Sequence, residues 1–211
     1  GESVGGRLGD GVICLTNEEA DLARRWRVVS RRRIWVIPNG LRDVAPADRG
    51  RPDGVGPLRL TMVARFAPPK QQRELIEVLA TLTHDSWNVT FVGDGPELAE
   101  CERLANQLIG QRCTFLGASD EVPQVLATSD VLVLWSRYEG LPISLLEGMR
   151  AGLCCVGSDL PGVRRLFGDP PVGIVAGDVA ALATTLDQLI MDRELCVRMG
   201  ALARAEFERQ Y

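Results

Sequence analysis

The chain has 211 residues, of which 45% are hydrophobic and 25% charged, and its formal net charge is −4 at pH 7. This composition is typical of a globular protein, and the charge balance gives no general affinity for nucleic acid. The single histidine, His84, argues against a Ser/His/Asp or Cys/His triad and against a His-rich metal site.

The six cysteines favour a reducing compartment. They form no C-x-x-C pair and no metal-ligand spacing. Four of them lie in apolar runs, namely Cys14, Cys113, Cys154 and Cys155. We therefore predict buried free thiols and a cytoplasmic location. No apolar run approaches the roughly 20 residues that a membrane-spanning helix needs.

The first 42 residues predict a strand–helix–strand unit. A strand at 11–16 leads into Thr16-Asn-Glu-Glu19, a capping-box pattern that opens a helix through about residue 26. A second strand covers 34–37. The basic residues of this unit are Arg24, Arg25, Arg27, Arg31, Arg32 and Arg33. Two interpretations of them stay open, a solvated helix end and a surface that contacts anionic lipid or an acidic partner.

Residues 43–57 predict a linker, because Pro, Gly, Asp and Arg dominate there and no hydrophobic period is visible. From residue 58 the pattern becomes regular. Predicted strands cover 58–64, 89–92, 113–116, 131–135, 153–157 and 173–175. Predicted helices cover 71–82, 96–108, 121–127, a segment opened by residue 142, 161–167, 179–191 and 194–207.

Continuous apolar strands that alternate with amphipathic helices predict a parallel sheet covered on both faces. The expected fold is a Rossmann-like three-layer α/β/α domain with about six strands, which covers residues 58–211. In such a sheet, ligands bind where strands end and helices begin.

The strongest site signal lies between the strand at 131–135 and the helix that follows. Pro142 suits the first helical position, because its φ is preset and no N–H is needed there. The next free N–H groups form a site suited to an anion, and two carboxylates, Glu139 and Glu147, bracket it. Arg65 and Lys70 follow the first strand of the same sheet. Two cations at this rim predict charge-assisted hydrogen bonds to a diphosphate.

A second glycine-rich turn, Gly93-Asp-Gly-Pro96, is weaker evidence. It lacks the third glycine of a dinucleotide-binding fingerprint, so we interpret it as a tight turn beside the ligand. A P-loop motif does not occur in the sequence.

Read in order, these segments resemble a known family. Glu139-Gly-Leu-Pro-Ile-Ser-Leu-Leu-Glu147 is similar to the E-x7-E motif of retaining glycosyltransferases of the GT-B fold, in the large family 4. The other matching segments are Val36-Ile-Pro-Asn-Gly40, Val63-Ala-Arg65 with Lys70, Val92-Gly-Asp-Gly-Pro96, Phe115-Leu-Gly117 and Ser158-Asp-Leu-Pro-Gly162. The ordered series covers nearly the whole chain and is far more specific than any one motif. One departure is Gln71, where many relatives have glycine.

The resemblance implies a transferase that uses a nucleotide-sugar donor, most simply a UDP-sugar, without a metal or other cofactor. Arg65 and Lys70 would offset the charge of the leaving diphosphate, an electrostatic form of catalysis. Glu139 would contact the donor sugar as the third catalytic residue, and Glu147 would bind the ribose hydroxyls. The remaining substrate-binding residues that it implies are Gly140, Leu141, Pro142 and Ile143 beside sugar and phosphate, Phe115 and Leu116 at the base, and Gly93 nearby.

The resemblance also implies that part of the enzyme is missing. Residues 1–42 would be the end of the N-terminal acceptor domain, and 58–211 the donor-binding half of a GT-B fold. We expect the chain alone to lack transferase activity. A glycan or lipid-linked acceptor would bind the missing domain, with possible contact of the enzyme with the inner face of a membrane.

Other functions fit parts of the sequence. Paired carboxylates also serve glycoside hydrolases, but that function leaves Arg65 and Lys70 unexplained. A nucleotide-sugar epimerase on a GT-B scaffold would need its own acid–base residues, and His84 is poorly placed for that role. A non-catalytic nucleotide-binding module stays open.

Overall fold

Two units make up the chain, Gly1–Leu41 and Arg42–Tyr211. The structure is a computed structural model that describes residues 10–29, 33–37, 39–41, 43 and 56–211. Most of the predicted linker, 44–55, lies outside the described residues, as do Arg31 and Arg32 of the basic segment. The domain boundaries at 42 and 57 therefore stay predictions.

The described part of the first unit contains two parallel strands connected through a helix. Its elements are β1 (Val12–Cys14), α1 (Asn17–Arg25) and β2 (Ile34–Val36). The predicted cap of α1 is present, since Thr16 Oγ1 accepts a hydrogen bond from the N–H of Glu19 at 3.1 Å. The Glu19 carboxylate reaches back to the N–H of Leu15 at 2.8 Å, so both hydrogen bonds fix where the helix begins.

The described part of the second unit contains a six-stranded parallel sheet. Its strands are β3 (Leu58–Val63), β4 (Trp87–Val92), β5 (Cys113–Phe115), β6 (Val131–Leu134), β7 (Cys154–Ser158) and β8 (Ile174–Ala176). The α-helices described here are α2 (Gln72–Leu79), α3 (Leu98–Leu108), α4 (Val122–Ala127), α5 (Ile143–Arg150), α6 (Pro161–Phe167), α7 (Val179–Met191) and α8 (Arg193–Gln210).

This architecture confirms the predicted three-layer α/β/α fold. Every residue of β6 and β7 is buried, which is why both strands appear in the sequence as continuous apolar runs. Helix α2 packs against α3 and α7, and helix α5 packs against α4 and α8. These two groups of helices form the layers on either side of the sheet.

The strand order, β5-β4-β3-β6-β7-β8, determines where a ligand can bind. From β3 the chain proceeds outward to β4 and β5, whereas from β6 it proceeds in the opposite direction to β7 and β8. The neighbouring strands β3 and β6 therefore flank the topological switch point. In open parallel sheets the ligand crevice lies at the carboxyl ends of such strands. The loops after β3 and β6 border this crevice.

Several helix boundaries differ from the predicted ones by one to three residues, and two of these differences have a clear physical reason. Helix α2 ends at Leu79 rather than near residue 82, and the Thr81 hydroxyl donates to the carbonyl of Val78 at 2.7 Å in the turn that follows. Pro142 is the N-cap of α5 and not its first helical residue, because its φ of −72° and ψ of 112° are extended. An N-cap residue characteristically has such a non-helical conformation. The first turn of α5 still begins directly after the proline.

Candidate functional site

An ion pair joins the two loops that border the switch point. The Lys70 ammonium, in the loop after β3, donates to a carboxylate oxygen of Glu139, in the loop after β6. The side chains are 22% and 8% exposed, respectively. The two residues are 69 positions apart in the sequence, so only the adjacency of β3 and β6 brings them together.

Backbone hydrogen bonds hold these two loops against each other. Lys70 and Ser136 form an isolated antiparallel bridge. The N–H of Gln71 donates to the carbonyl of Trp135, and the N–H of Arg137 donates to that of Pro69, each at 3.0 Å. Because the contacts are main-chain, the position of Lys70 beside the second loop depends little on its own side chain.

Arg65 occupies the start of the same loop but is oriented differently. It is exposed, and its guanidinium forms no ion pair with any residue that the structure describes. Gln72, in the first turn of α2, anchors this loop. Its buried side-chain amide donates to the carbonyl of Arg65 at 2.9 Å. The sequence offered no signal for this anchoring role of Gln72.

Gly93 lies beside the Arg65 loop, at the carboxyl end of β4. Its N–H donates to the carbonyl of Gly117 at 2.7 Å. Its φ of +141° is strained for other residues, and a Cβ there would lie 2.1 Å from the carbonyl oxygen of Ala64. Glycine is therefore required at position 93 for this close approach to the β3 loop.

The segment predicted to meet a base lies at the end of β5. The rings of Phe115 and Phe91 stack with centroids 5.2 Å apart. Leu116, the next residue, is 44% exposed, and its N–H donates to the carbonyl of Phe91 at 3.0 Å. The Leu116 backbone is therefore fixed by sheet pairing, while its side chain faces solvent.

The start of α5 packs tightly against the start of α6. The residues of this start are Gly140, Leu141, Pro142 and Ile143; Leu141 and Pro142 are buried, and the Ile143 side chain is exposed. A Cβ on Gly162 would lie 1.9 Å from the carbonyl oxygen of Gly140 and 2.6 Å from that of Glu139. Glycine at position 162 therefore lets α6 support the Glu139 loop, a role that the sequence did not reveal.

Glu147 lies in the second turn of α5 and is half-buried. Burial raises the pKa of its carboxyl, and the positive charge of Arg150 partly offsets that effect. The two acids of the motif thus have different environments. Glu139 is held by a cation, whereas Glu147 has a partly desolvated carboxyl, which would gain most from hydroxyl donors.

A cleft of about 340 Å³ also borders Lys70, on the side of α2. Glu139, Glu147 and the start of α5 do not line this cleft. Its carboxylates come from Glu74, Glu77 and Glu97 and its cations from Lys70, Arg73 and Arg137, so the charges of its lining balance and offer no net attraction to a diphosphate. We therefore place the anion site at the rim between Lys70 and α5 rather than in this cleft.

All six cysteines are free thiols, and all but Cys113 are buried. Cys113 is half-buried because β5 lies at the edge of the sheet. The described residues contain no group of three or more His, Cys, Asp or Glu side chains able to hold a metal ion. In the same part of the chain, every helix is too short or too polar to cross a membrane.

The fold and its rim define a Rossmann-like α/β protein with a charged crevice at the switch point. Residues 51–206 match the family model of the group 1 glycosyl transferases. The chain belongs to this family.

Curated relatives agree with that assignment. The chain is 32% identical over 156 residues to N-acetyl-alpha-D-glucosaminyl L-malate synthase of Bacillus anthracis, covering 72% of this chain and 41% of the relative. It is 33% identical over 167 residues to UDP-Gal:alpha-D-GlcNAc-diphosphoundecaprenol alpha-1,3-galactosyltransferase of Escherichia coli, covering 72% and 43%. A 2-deoxystreptamine glucosyltransferase of Streptomyces kanamyceticus is 30% identical over 204 residues, covering 88% and 52%. The chain spans about half the length of these relatives.

Solved structures show the same fold. Anabaena Alr3699/HepE in complex with UDP and glucose aligns with a TM-score of 0.84 at 21% identity, covering 100% of this chain and 61% of that one. The S. aureus TarM G117R mutant in complex with Fondaparinux, alpha-GlcNAc-glycerol and UDP aligns with a TM-score of 0.85 at 21% identity, covering 98% of this chain and 42% of that one. The fold is that of the GT-B glycosyltransferases.

Proposed function

We propose that the chain is the donor-binding half of a retaining family 4 glycosyltransferase and that it binds a UDP-sugar. The observation that carries this proposal is the convergence of Lys70, Glu139 and the start of α5 at the switch point of the sheet. A diphosphate placed there meets one cation and the free N–H groups of a helix start, both of which favour negative charge.

Catalysis would depend on offsetting charge. When the bond between sugar and diphosphate breaks, negative charge develops on the leaving phosphate. Lys70 and the exposed Arg65 both lie in the loop after β3 at this rim, and they would stabilise the charge. In this proposal the two cations take the place of a metal ion or other cofactor.

The two acids would bind hydroxyl groups instead of transferring protons. Glu139, adjacent to Lys70, would contact the donor sugar, and Glu147 would accept hydrogen bonds from the ribose. The Leu116 backbone would border the base, next to Phe115 and the Gly93 turn. The preference for UDP is supported by the relatives, since one is named for UDP-Gal and the HepE and TarM complexes contain UDP.

The acceptor, a glycan or a lipid-linked sugar, would bind to a part of the enzyme that is not in this sequence. The two parallel strands of the first unit support this proposal. Ile13 and Trp35 pair in the β1–β2 register and are 63% and 50% exposed. Parallel sheets are normally covered on both faces, so a further apolar layer would cover these side chains. We expect the chain alone to bind donor without transferring sugar.

We also propose a cytoplasmic enzyme that contacts the inner face of a membrane peripherally. The free thiols fit a reducing compartment. Trp26 is 68% exposed between the exposed Arg25 and Arg27. An exposed tryptophan among arginines suits an anionic lipid surface. Flotation with phosphatidylglycerol vesicles tests this contact, and loss of flotation in Trp26→Ala is the expected result.

Isothermal titration calorimetry of the chain with UDP, GDP and ADP tests the donor-domain assignment. We expect saturable binding of UDP, and weaker binding of the other two. Absence of binding by all three nucleotides at millimolar concentration would show that the chain is not a donor domain. Measured transfer by the chain alone would show that the rest of the enzyme is not needed.

A further inference from the structure

Ser136 is buried at the point where the loops of the site meet. It lies two residues after the end of β6 and is only 3% exposed. A buried hydroxyl needs hydrogen-bond partners, and those of the Ser136 hydroxyl come from the loop after β3 and from its own loop after β6. They connect it to both members of the Lys70–Glu139 pair.

The Ser136 hydroxyl contacts the residue immediately before each member of that pair. Its Oγ lies 3.2 Å from the carbonyl oxygen of Pro69, which precedes Lys70. The same Oγ lies 3.0 Å from the carbonyl oxygen of Tyr138, which precedes Glu139. The single hydroxyl proton can be donated to either carbonyl, so the group bridges the two loops.

The backbone of Ser136 makes a further contact with β7. Its N–H donates to Ser158 Oγ at 2.8 Å, and Ser158 is the last residue of β7. Ser158 is itself buried, at 6% exposure. The Ser136 backbone is thereby held between β7 on one side and the Lys70 loop, through the Lys70–Ser136 bridge, on the other.

We propose that the Ser136 hydroxyl is a positioning group that sets the Lys70 ammonium and the Glu139 carboxylate for the donor diphosphate and sugar. This role rests on the proposed function. The hydroxyl is buried under the loops and acts through the two backbones. Its removal therefore weakens ligands that use Lys70 and leaves ligands that do not use it unchanged.

The test compares UDP and uridine binding by calorimetry in wild type, Ser136→Ala, Lys70→Ala and the double variant. We expect Ser136→Ala to weaken UDP about five-fold, the usual size of one lost hydrogen bond, and to leave uridine within about two-fold. In the Lys70→Ala background the same substitution should have little further effect on UDP, because its effect passes through Lys70.

Ser129→Ala is the matched control. Ser129 is also 3% exposed and its hydroxyl also forms a buried hydrogen bond, to Thr61 at 2.6 Å, but it precedes β6 at the opposite end of the strand. We expect it to lower thermal stability and to leave UDP affinity unchanged. If Ser136→Ala is too unstable to purify, Ser136→Cys replaces the hydroxyl with a weakly hydrogen-bonding thiol and should show the same selective loss.

The outcomes separate two failures. If the wild-type chain binds no UDP, the proposed function is wrong and the positioning role falls with it. If wild type binds UDP but Ser136→Ala weakens UDP and uridine equally, or weakens UDP equally with and without Lys70, the positioning role alone is overturned.

Discussion

Lys70 and Glu139 neutralise each other across the switch point of the sheet. The pair has a consequence for ligand binding, because a diphosphate that binds Lys70 must compete with the Glu139 carboxylate. A donor sugar would in turn offer hydroxyl groups to the carboxylate that the diphosphate displaces. The pair is thus suited to a ligand that carries both groups.

Removing the cation tests the first half of this relationship. Lys70→Ala should weaken UDP by about 1.5–3 kcal/mol, the range for a hydrogen bond to a charged group. Arg73→Ala is the control, since Arg73 lines the neighbouring cleft and pairs with Glu77 and Glu100 instead. Calorimetry should show normal UDP affinity for the control. Equal affinities of wild type and Lys70→Ala would remove Lys70 from the site.

Removing the competing carboxylate should have the opposite effect on UDP. In Glu139→Gln, Lys70 is freed and UDP should bind more tightly, by up to about 1 kcal/mol for an ion pair that solvent still reaches. UDP-glucose should gain less or lose affinity, because the sugar contact is weakened. The ratio of the two dissociation constants is the measured quantity. Weaker UDP binding would show that Glu139 does not compete for Lys70.

The close packing of α6 on the Glu139 loop predicts a sensitive position at Gly162. Gly162→Ala should destabilise the chain by about 1–3 kcal/mol through overpacking and should weaken UDP-glucose, because the Gly140 carbonyl must move. Gly177→Ala is the control, since a Cβ there meets nothing within 4 Å. Urea unfolding and calorimetry measure both effects. Unchanged affinity in a destabilised Gly162→Ala variant would show that the loop position is unimportant for binding.

The raised pKa of Glu147 predicts a trade-off between stability and binding. Its folded pKa lies above the ordinary value of 4.5 because burial disfavours the carboxylate. The native state therefore binds more protons than the unfolded state, and stability falls as pH rises through the folded pKa.

Glu147→Gln removes this penalty. We expect the variant to be more stable than wild type at pH 7, with a difference that shrinks below pH of about 4.5. Uridine and UDP should both bind it more weakly, by a similar factor, because the ribose loses its anionic acceptor. Urea unfolding across pH measures the first effect. A variant less stable than wild type at pH 7 would contradict the assignment of burial as the dominant influence.

The sequence predicted the sheet and its rim because the two kinds of element have different patterns. Buried parallel strands appear as continuous apolar runs, whereas amphipathic helices have apolar residues three to four positions apart. The apolar run of β6 and the helix start after Pro142 are both confirmed as elements. The one-residue error at Pro142 arose because proline suits both the N-cap and the first helical position. Strand order was not predicted, since no local pattern encodes which strands are neighbours.

Because strand order was not predicted, several contacts of the site could not be predicted either. Arg65, Lys70 and Glu139 were predicted to lie on one rim, but the pairing of Lys70 with Glu139 needs β3 beside β6. The sequence shows Ser136 only as a polar residue after a strand. Its role becomes visible only when the structure places its hydroxyl between the carbonyls of Pro69 and Tyr138. The requirement for glycine at position 162 likewise becomes visible only when the carbonyl of Gly140 is placed against it.

A crystal structure of the chain with UDP bound tests the central claim most directly. We predict the diphosphate within hydrogen-bond distance of Lys70 Nζ and of the N–H groups of Ile143 and Ser144, with Glu147 at the ribose. A diphosphate bound in the cleft beside α2, away from the start of α5, would contradict it.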